Sequence, residues 1–209
     1  TSSRIGAGIE VKTNEGVDIL ACGPREDILL LFDNELQTLA DPQNPIFGEM
    51  DISAVNLVGL AREMGLEIIL PHPGTAEGVT MLPLSTQDEL ARHDPLVEYN
   101  GRVSWKINRI AKKLAKRLHL KLIAGGDSHI EGYDQYTSTF NRLENDIPLA
   151  PEEMITKLRE ERKRHKMRVS RPSIRESLST GKQILAAGGV KMLQVVAKYK
   201  SRQLFNGLY

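Results

Sequence analysis

Two segments near the start of the chain alternate apolar and polar positions. They cover residues 5–12 and 17–22, and a polar turn at 13–16 separates them. Alternation with a period of two places every second side chain on the same face, which is typical of a β-strand. Because only a short turn connects the two segments, the pattern predicts an antiparallel hairpin.

Helical patterns and short apolar runs alternate in the next part of the chain. Apolar residues recur every three or four positions, as expected for amphipathic helices, over residues 24–39, 52–64 and 103–118. The intervening runs, which are typical of buried parallel strands, are residues 66–70, 96–100 and 120–124. This alternation predicts an α/β fold with a largely parallel sheet or barrel. Two further helices are predicted over 152–166 and 173–204.

The composition of the 209 residues limits the class of protein. Hydrophobic residues make up 40% of the chain and charged residues 26%, which indicates a folded domain. No apolar stretch approaches the roughly 20 residues that a membrane-spanning helix needs, so we expect no membrane association. The single cysteine, Cys22, excludes an internal disulfide framework and a cysteine-rich zinc site. We therefore expect a reducing, cytoplasmic environment.

The net charge of +1 hides an uneven distribution of charged residues. Residues 1–150 contain 14 Lys and Arg against 22 Asp and Glu, whereas residues 151–209 contain 14 against five. This contrast predicts an acidic body over 1–150 and a basic helical extension over 151–209. Residues 159–171 of the extension include seven basic side chains, which allow an association with nucleic acid but more often form a solvated helix face.

Polar side chains follow three successive apolar strands at the point where each strand ends. His72 follows the first, Glu98 and Asn100 end the second, and Asp127 and His129 follow the third. Taken singly, His72 also fits a proline-flanked turn and Asp127 a helix cap. Together they are more informative, because the carboxyl ends of parallel strands converge on one edge. Imidazoles and carboxylates bind zinc, manganese and iron, so the sequence predicts a metal site.

The order of these motifs resembles that of the PHP (polymerase and histidinol phosphatase) domain family. The similar segments lie within residues 5–160, at positions 8–16, 18–21, 70–74, 97–101, 124–129 and 136–140. The resemblance implies a distorted β/α barrel with two or three divalent metal ions (Zn, Mn or Fe) at the carboxyl ends of its strands. It also implies hydrolysis of a phosphoester, in which clustered cations lower the pKa of a bound water and stabilise the phosphoryl oxygens.

The resemblance also assigns roles to individual residues. Glu10 would be a carboxylate that bridges two metals, His72 a ligand of a second motif, and Asp127 and His129 the ligand pair of the last motif. These four are the predicted catalytic residues. Asp18 occupies a position where many members of the family carry histidine, and its carboxylate would serve as a metal ligand instead.

Further residues are expected to support the site or to contact the substrate. Glu98 and Asn100 would support the metal centre, with Asn100 at the substrate side. Arg102 or Lys106, just beyond that strand, would hold a phosphate oxygen, although an exposed basic helix start is the simpler explanation of both residues. The expected substrate is a small phosphorylated molecule or a nucleotide.

The amino-terminal part of the family pattern has no counterpart in this chain. The family opens with a His-x-His motif, whereas only nine residues precede Glu10 and none is histidine. One expectation is a barrel that is incomplete at its amino terminus, completed by a preceding segment or a second chain. The other is a relative that has lost metals. The predicted function is a metal-dependent phosphoesterase. The alternative is a non-catalytic PHP-like binding module, associated with nucleic acid through its basic tail.

Overall fold

A computed structural model describes most of the amino-terminal 125 residues and two short segments beyond them. The described residues are 7–41, 49–101, 103–125, 139–142 and 166–169, the last two as backbone only. Asp127, His129, Arg102 and most of the predicted extension lie outside this part of the chain. What the sequence predicts for them therefore remains a prediction.

Five strands form one sheet, in the same order as in the sequence. They are β1 (Ala7–Lys12), β2 (Asp18–Gly23), β3 (Glu67–Leu70), β4 (Leu96–Asn100) and β5 (Lys121–Gly125). The predicted hairpin is confirmed, because β1 pairs antiparallel with β2. β2 also pairs antiparallel with β3, whereas β3, β4 and β5 are parallel to one another.

The predicted distorted β/α barrel is wrong. The sheet is open and mixed, with β1 and β5 as its edges in the described part of the chain. A β/α barrel needs parallel strands joined by crossover helices all the way round. Here that alternation holds only from β3 to β5, because the hairpin reverses the chain and β2 joins β3 in the antiparallel sense. The protein has a small α/β fold instead.

The helices largely follow the predicted pattern. They are α1 (Arg25–Leu31), α2 (Ala54–Glu63), α3 (Leu84–Ala91) and α4 (Trp105–Leu118). After α1 the chain continues through a π-helical turn, Phe32–Leu36, and a 3-10 turn, Gln37–Leu39, so the predicted helix over 24–39 is not a regular α-helix. Ser53 and Ser104 begin α2 and α4 by accepting hydrogen bonds from backbone N–H groups of the first turn.

Two short strands form a separate antiparallel pair. They are β6 (Thr139–Arg142) and β7 (Lys166–Val169). The sequence predicts helix through residue 166, which is wrong at that position. The four residues of β7 alternate between basic and apolar, and this period of two suits a strand. β6 was missed because its four residues are too few for a clear pattern.

The two faces of the five-stranded sheet have different roles. The first face packs against α1, α2 and α4 in the main hydrophobic core, through residues such as Ile19, Leu70 and Val97. The opposite face has a smaller apolar cluster built from Ile69, Leu96 and Ile123. The polar residues Glu10, Asp18, Glu98 and Asn100 share this second face by strand register.

None of the helices in the described part of the chain has both the length and the apolar character that a bilayer crossing requires.

Candidate metal centre

Three predicted ligands come together at one edge of the sheet. Glu10 is near the end of β1 and Asp18 begins β2, so the hairpin register places both on the same face near the turn. β3 runs antiparallel to β2, and its carboxyl end therefore lies at the start of β2. His72 follows β3 by two residues and completes the group.

The three side chains are spaced closely enough to share one cation. His72 Nε2 lies 3.4 Å from Glu10 Oε1 and 3.7 Å from Asp18 Oδ2. One ligand atom from each residue lies within 4.8 Å of the others. Donors that bind zinc at about 2.0–2.2 Å are themselves about 3–3.5 Å apart, so only small adjustments are needed. The group can therefore hold a metal ion.

The imidazole of His72 is oriented by Thr75. The Thr75 hydroxyl donates its one proton to the His72 carbonyl oxygen at 2.9 Å. The same hydroxyl lies 2.9 Å from His72 Nδ1 and so fixes the orientation of the ring. Nε2 faces the two carboxylates. An imidazole nitrogen and two carboxylates converge on one point, and a shared cation or proton allows them to approach this closely.

The backbone of His72 is held in an unusual conformation. Its φ of 28° is rare for a residue with a Cβ atom and costs on the order of 1–3 kcal/mol. Two contacts oppose this cost. The His72 N–H donates to Glu98 Oε2 at 2.7 Å, and the Thr75 N–H donates to the His72 carbonyl at 2.9 Å. Prolines on both sides further restrict the turn.

Glu98 is itself fixed by neighbouring groups. Its carboxylate is buried and also accepts a hydrogen bond from Asn100 Nδ2 at 3.2 Å. Gly125, at the end of β5, lies so close that a Cβ atom added there would overlap Glu98 Oε1. Asn108 of α4 exchanges two hydrogen bonds with the Asn100 backbone, at 3.0 and 2.6 Å. A continuous network therefore connects α4 to the candidate ligand His72.

Lys12 and Glu77 provide charges beside Asp18. Lys12 Nζ is 3.9 Å from Asp18 Oδ1 and also pairs with Glu77. Burial lowers the pKa of Lys12, but its hydrogen bond to Glu77 and its attraction to Asp18 outweigh that effect, so the net pKa is raised. Lys12 is therefore a cation at neutral pH.

Burial lowers the pKa of Lys12 but raises the pKa of Asp18, because in each case it disfavours the charged form. It raises the Asp18 pKa from its ordinary value of 3.8 to about 7, and Glu77 and Glu10 add to the rise, although Lys12 and His72 oppose it. Without a further positive charge, Asp18 is thus only partly ionised at neutral pH. This is the electrostatic environment that favours cation binding.

Some of the predicted site residues are located and others are not. Glu10, Asp18 and His72 are brought together, and Glu98 binds the backbone of His72. Asn100 is completely buried beside Glu98, and its role towards a substrate stays a prediction. Asp127, His129 and Arg102 lie outside the described residues.

Three supporting residues were missed in the sequence. Asn108 had a detectable pattern, because it lies on the apolar stripe of its helix with Ala111 and Ala115. A polar residue in that stripe indicates a buried hydrogen-bonding role. Thr75 and Glu77 carry no comparable pattern, since their contacts depend on how the loop after β3 folds.

The fold and this cluster together define a small α/β protein with a candidate metal centre. No protein-family model matches the sequence, and no curated protein matches it either. The chemistry therefore rests on the residues themselves.

Proposed function

We propose that the protein is a metal-dependent phosphoesterase whose cation is held by Glu10, Asp18 and His72. The observation that carries the proposal is the convergence of three ligand atoms within 4.8 Å, with His72 Nε2 facing the two carboxylates. Two carboxylates and one imidazole suit zinc, manganese or iron(II). Asp127 and His129 would add ligands for a second ion.

The residues of the chain would prepare the site for a cation and an anionic substrate. Glu98 and Thr75 hold the backbone and the ring of His72, so that the ligand is already oriented before a metal arrives. Lys12, a quarter exposed, places a positive charge beside Asp18 that a phosphate group can also contact. When bound, a divalent cation supplies a lowered water pKa and positive charge for the phosphoryl oxygens.

The motif order gives independent support. The segments that resemble the PHP family include all three members of the triad, and phosphoester hydrolysis is the typical activity of that family. The proposed substrate is a small phosphorylated molecule or a nucleotide. The triad is the part of this proposal that rests on the geometry of the structure.

The first test measures metal binding by the full chain. After removal of bound metal with EDTA, calorimetric titration with Mn²⁺ and Zn²⁺ should give saturable binding. His72→Gln should weaken it at least about tenfold, because the imidazole nitrogen that contacts the metal is lost. The matched control is His93→Gln, since the His93 ring is outside the triad. Equal affinities in the two variants would contradict the assignment of His72.

The second test measures hydrolysis. The Mn²⁺-loaded protein should release p-nitrophenol from p-nitrophenyl phosphate or its bis ester, and Glu10→Gln should abolish the release. Glu63→Gln, an exposed change on α2, is the control. Tight metal binding with no turnover of either ester would refute the phosphoesterase and favour the non-catalytic binding module.

A further inference from the structure

The exposed face of α4 consists almost entirely of basic side chains. They are Lys106, Arg109, Lys112, Lys113, Lys116 and Arg117. At 100° per residue they fall within an arc of about 140°, and Trp105 lies in the same arc. The helix contains no acidic residue. We call these seven residues the α4 basic face.

Among the residues that the structure describes, most of the cations on the α4 basic face have no neutralising neighbour. Arg117 pairs with Asp88, and Lys112 lies 4.9 Å from the centre of the Tyr99 ring. Lys106, Arg109, Lys113 and Lys116 form no ion pair with any residue that the structure describes. They repeat at three- and four-residue intervals and so form a stripe about 15 Å long on the surface of the helix.

The surrounding charge makes this face an unusual feature of the protein. Residues 1–100 contain 17 acidic and five basic side chains, so the body repels polyanions elsewhere. The extension over 151–209 is basic and is therefore a poor partner for the same face. The occupant with complementary charge is an extended polyanion.

The geometry of α4 distinguishes between polyanions. A helix that inserts into a membrane surface needs a free apolar face, but Ala111, Leu114 and Ala115 are already buried in the core. Trp105 is 52% exposed and is the only tryptophan of the chain. An exposed aromatic ring at the end of a row of cations offers both kinds of contact by which proteins bind single-stranded nucleic acid, namely base stacking and phosphate contacts.

We propose that the α4 basic face binds single-stranded nucleic acid, with Trp105 stacking on a base. The first turns of α4 lie against the loop that follows His72. At Gly74 of that loop, an added Cβ atom would be 2.8 Å from the carbonyl oxygen of Ile107. The amino-terminal end of α4, where Trp105 lies, is therefore close to the end of the sheet that holds the triad, and a bound nucleic acid would extend round this end to reach the ligands on the opposite face. The substrate class becomes a nucleic-acid phosphodiester, and this last step rests on the function proposed above.

The experiment measures binding without turnover. Fluorescein-labelled dT20 and U20 are titrated with the full chain in EDTA, followed by anisotropy and by the fluorescence of Trp105. We expect quenching of Trp105 on binding. Four phosphate contacts predict a slope of about −3 for log K against log salt concentration. Because no metal is present, the result does not depend on whether the triad hydrolyses phosphoesters.

Matched variants locate the binding site. Arg109→Gln with Lys113→Gln should weaken binding at least about tenfold at 50 mM salt and halve the salt slope. Arg25→Gln with Arg92→Gln removes the same charge from exposed positions elsewhere. This control variant should keep the affinity and the salt slope of the wild type. When Mn²⁺ is added, the KM for cleavage of the same oligonucleotides should rise in the α4 variant (Arg109→Gln with Lys113→Gln) and stay unchanged in the control variant.

Three outcomes would overturn the proposal. The first is loss of binding in a tail variant (Arg162→Gln, Lys163→Gln, Arg164→Gln) but not in the α4 variant. The second is binding without any change in Trp105 fluorescence. The third is equal or tighter binding to polyglutamate or to phosphatidylserine vesicles, which would make the face a general anion or membrane surface. Tighter binding to U20 would identify RNA as the preferred ligand, and tighter binding to dT20 would identify DNA.

Discussion

His72 combines two properties that rarely occur in one residue. Its backbone has a positive φ, and its side chain is buried with Nε2 facing two carboxylates. Such a conformation persists only where the surroundings determine it, here through Glu98 and Thr75. The strained turn therefore aims the imidazole, and the cost is consistent with a functional position.

The pKa of Asp18 leads to a prediction about pH and stability. The folded protein binds an extra proton at Asp18 between the unfolded pKa near 3.8 and the folded pKa of about 7. Stability of the metal-free protein should fall as pH rises through this window. Asp18→Asn removes the ionisation, so at pH 8 the variant should be more stable than the wild type by roughly 2–4 kcal/mol.

Urea unfolding at pH 3.5 and pH 8 in EDTA measures this difference. The advantage of the Asp18→Asn variant should be small at the lower pH, where Asp18 of the wild type is largely protonated in both states. Asp51→Asn, at an exposed position, controls for a general effect of charge. An advantage that does not change with pH would show that Asp18 is not the titrating group.

At the scale of elements, the contact between β4 and β5 supports the site. Gly125→Ala should destabilise the protein by about 1–3 kcal/mol and weaken metal binding, because the new methyl group overlaps the Glu98 carboxylate that holds His72. Gly59→Ala is the matched control. Its Cβ atom would meet nothing nearer than 4.0 Å, and alanine in the middle of α2 should add about 0.5–1 kcal/mol of stability.

Thermal unfolding and metal titration of both variants test this pair. Unfolding alone would not separate a positioning role for Glu98 from a packing defect. The affinity for Mn²⁺ separates the two explanations, because it should fall for Gly125→Ala even at temperatures where the variant is fully folded. An unchanged affinity would mean that the network through Glu98 does not position His72.

The elements themselves were easier to predict than their arrangement. The alternation around Ile9 and Val11 identified β1, and the period of α4 identified its buried stripe. Strand order and direction are set by contacts far apart in sequence, such as Leu20 with Ile69, and local patterns do not contain them. The expected barrel failed for this reason.

The candidate site was predictable to a similar extent. His72 was named because polar residues at strand ends converge in α/β folds, whereas Glu10 and Asp18 were named only through the resemblance to the PHP family. Asn108 could be recognised as a polar residue in an apolar stripe, but the partners of Asn108 and Thr75 depend on how the chain folds around β3 and β4. The part of the site that orients His72 therefore emerged only with the structure.

For the molecule as a whole, metal binding should appear as stability. At a metal concentration of 100 times Kd, the folded state gains about 2.7 kcal/mol, which for a chain of this size raises Tm by roughly 5–10 °C. The measurement is a thermal scan with Mn²⁺ or Zn²⁺ against one with EDTA. His72→Gln should lose the increase while His93→Gln keeps it. An increase of the same size in both variants would place the cation elsewhere.

The position of the triad in the sheet also has a consequence for folding kinetics. Two ligands come from one hairpin, but the third arrives only when β3 pairs with β2, which closes the long segment between Leu20 and Ile69. We therefore expect the complete site to form late in folding. A bound cation should mainly slow unfolding and leave the folding rate nearly unchanged. The bound ion would therefore extend the lifetime of the native state.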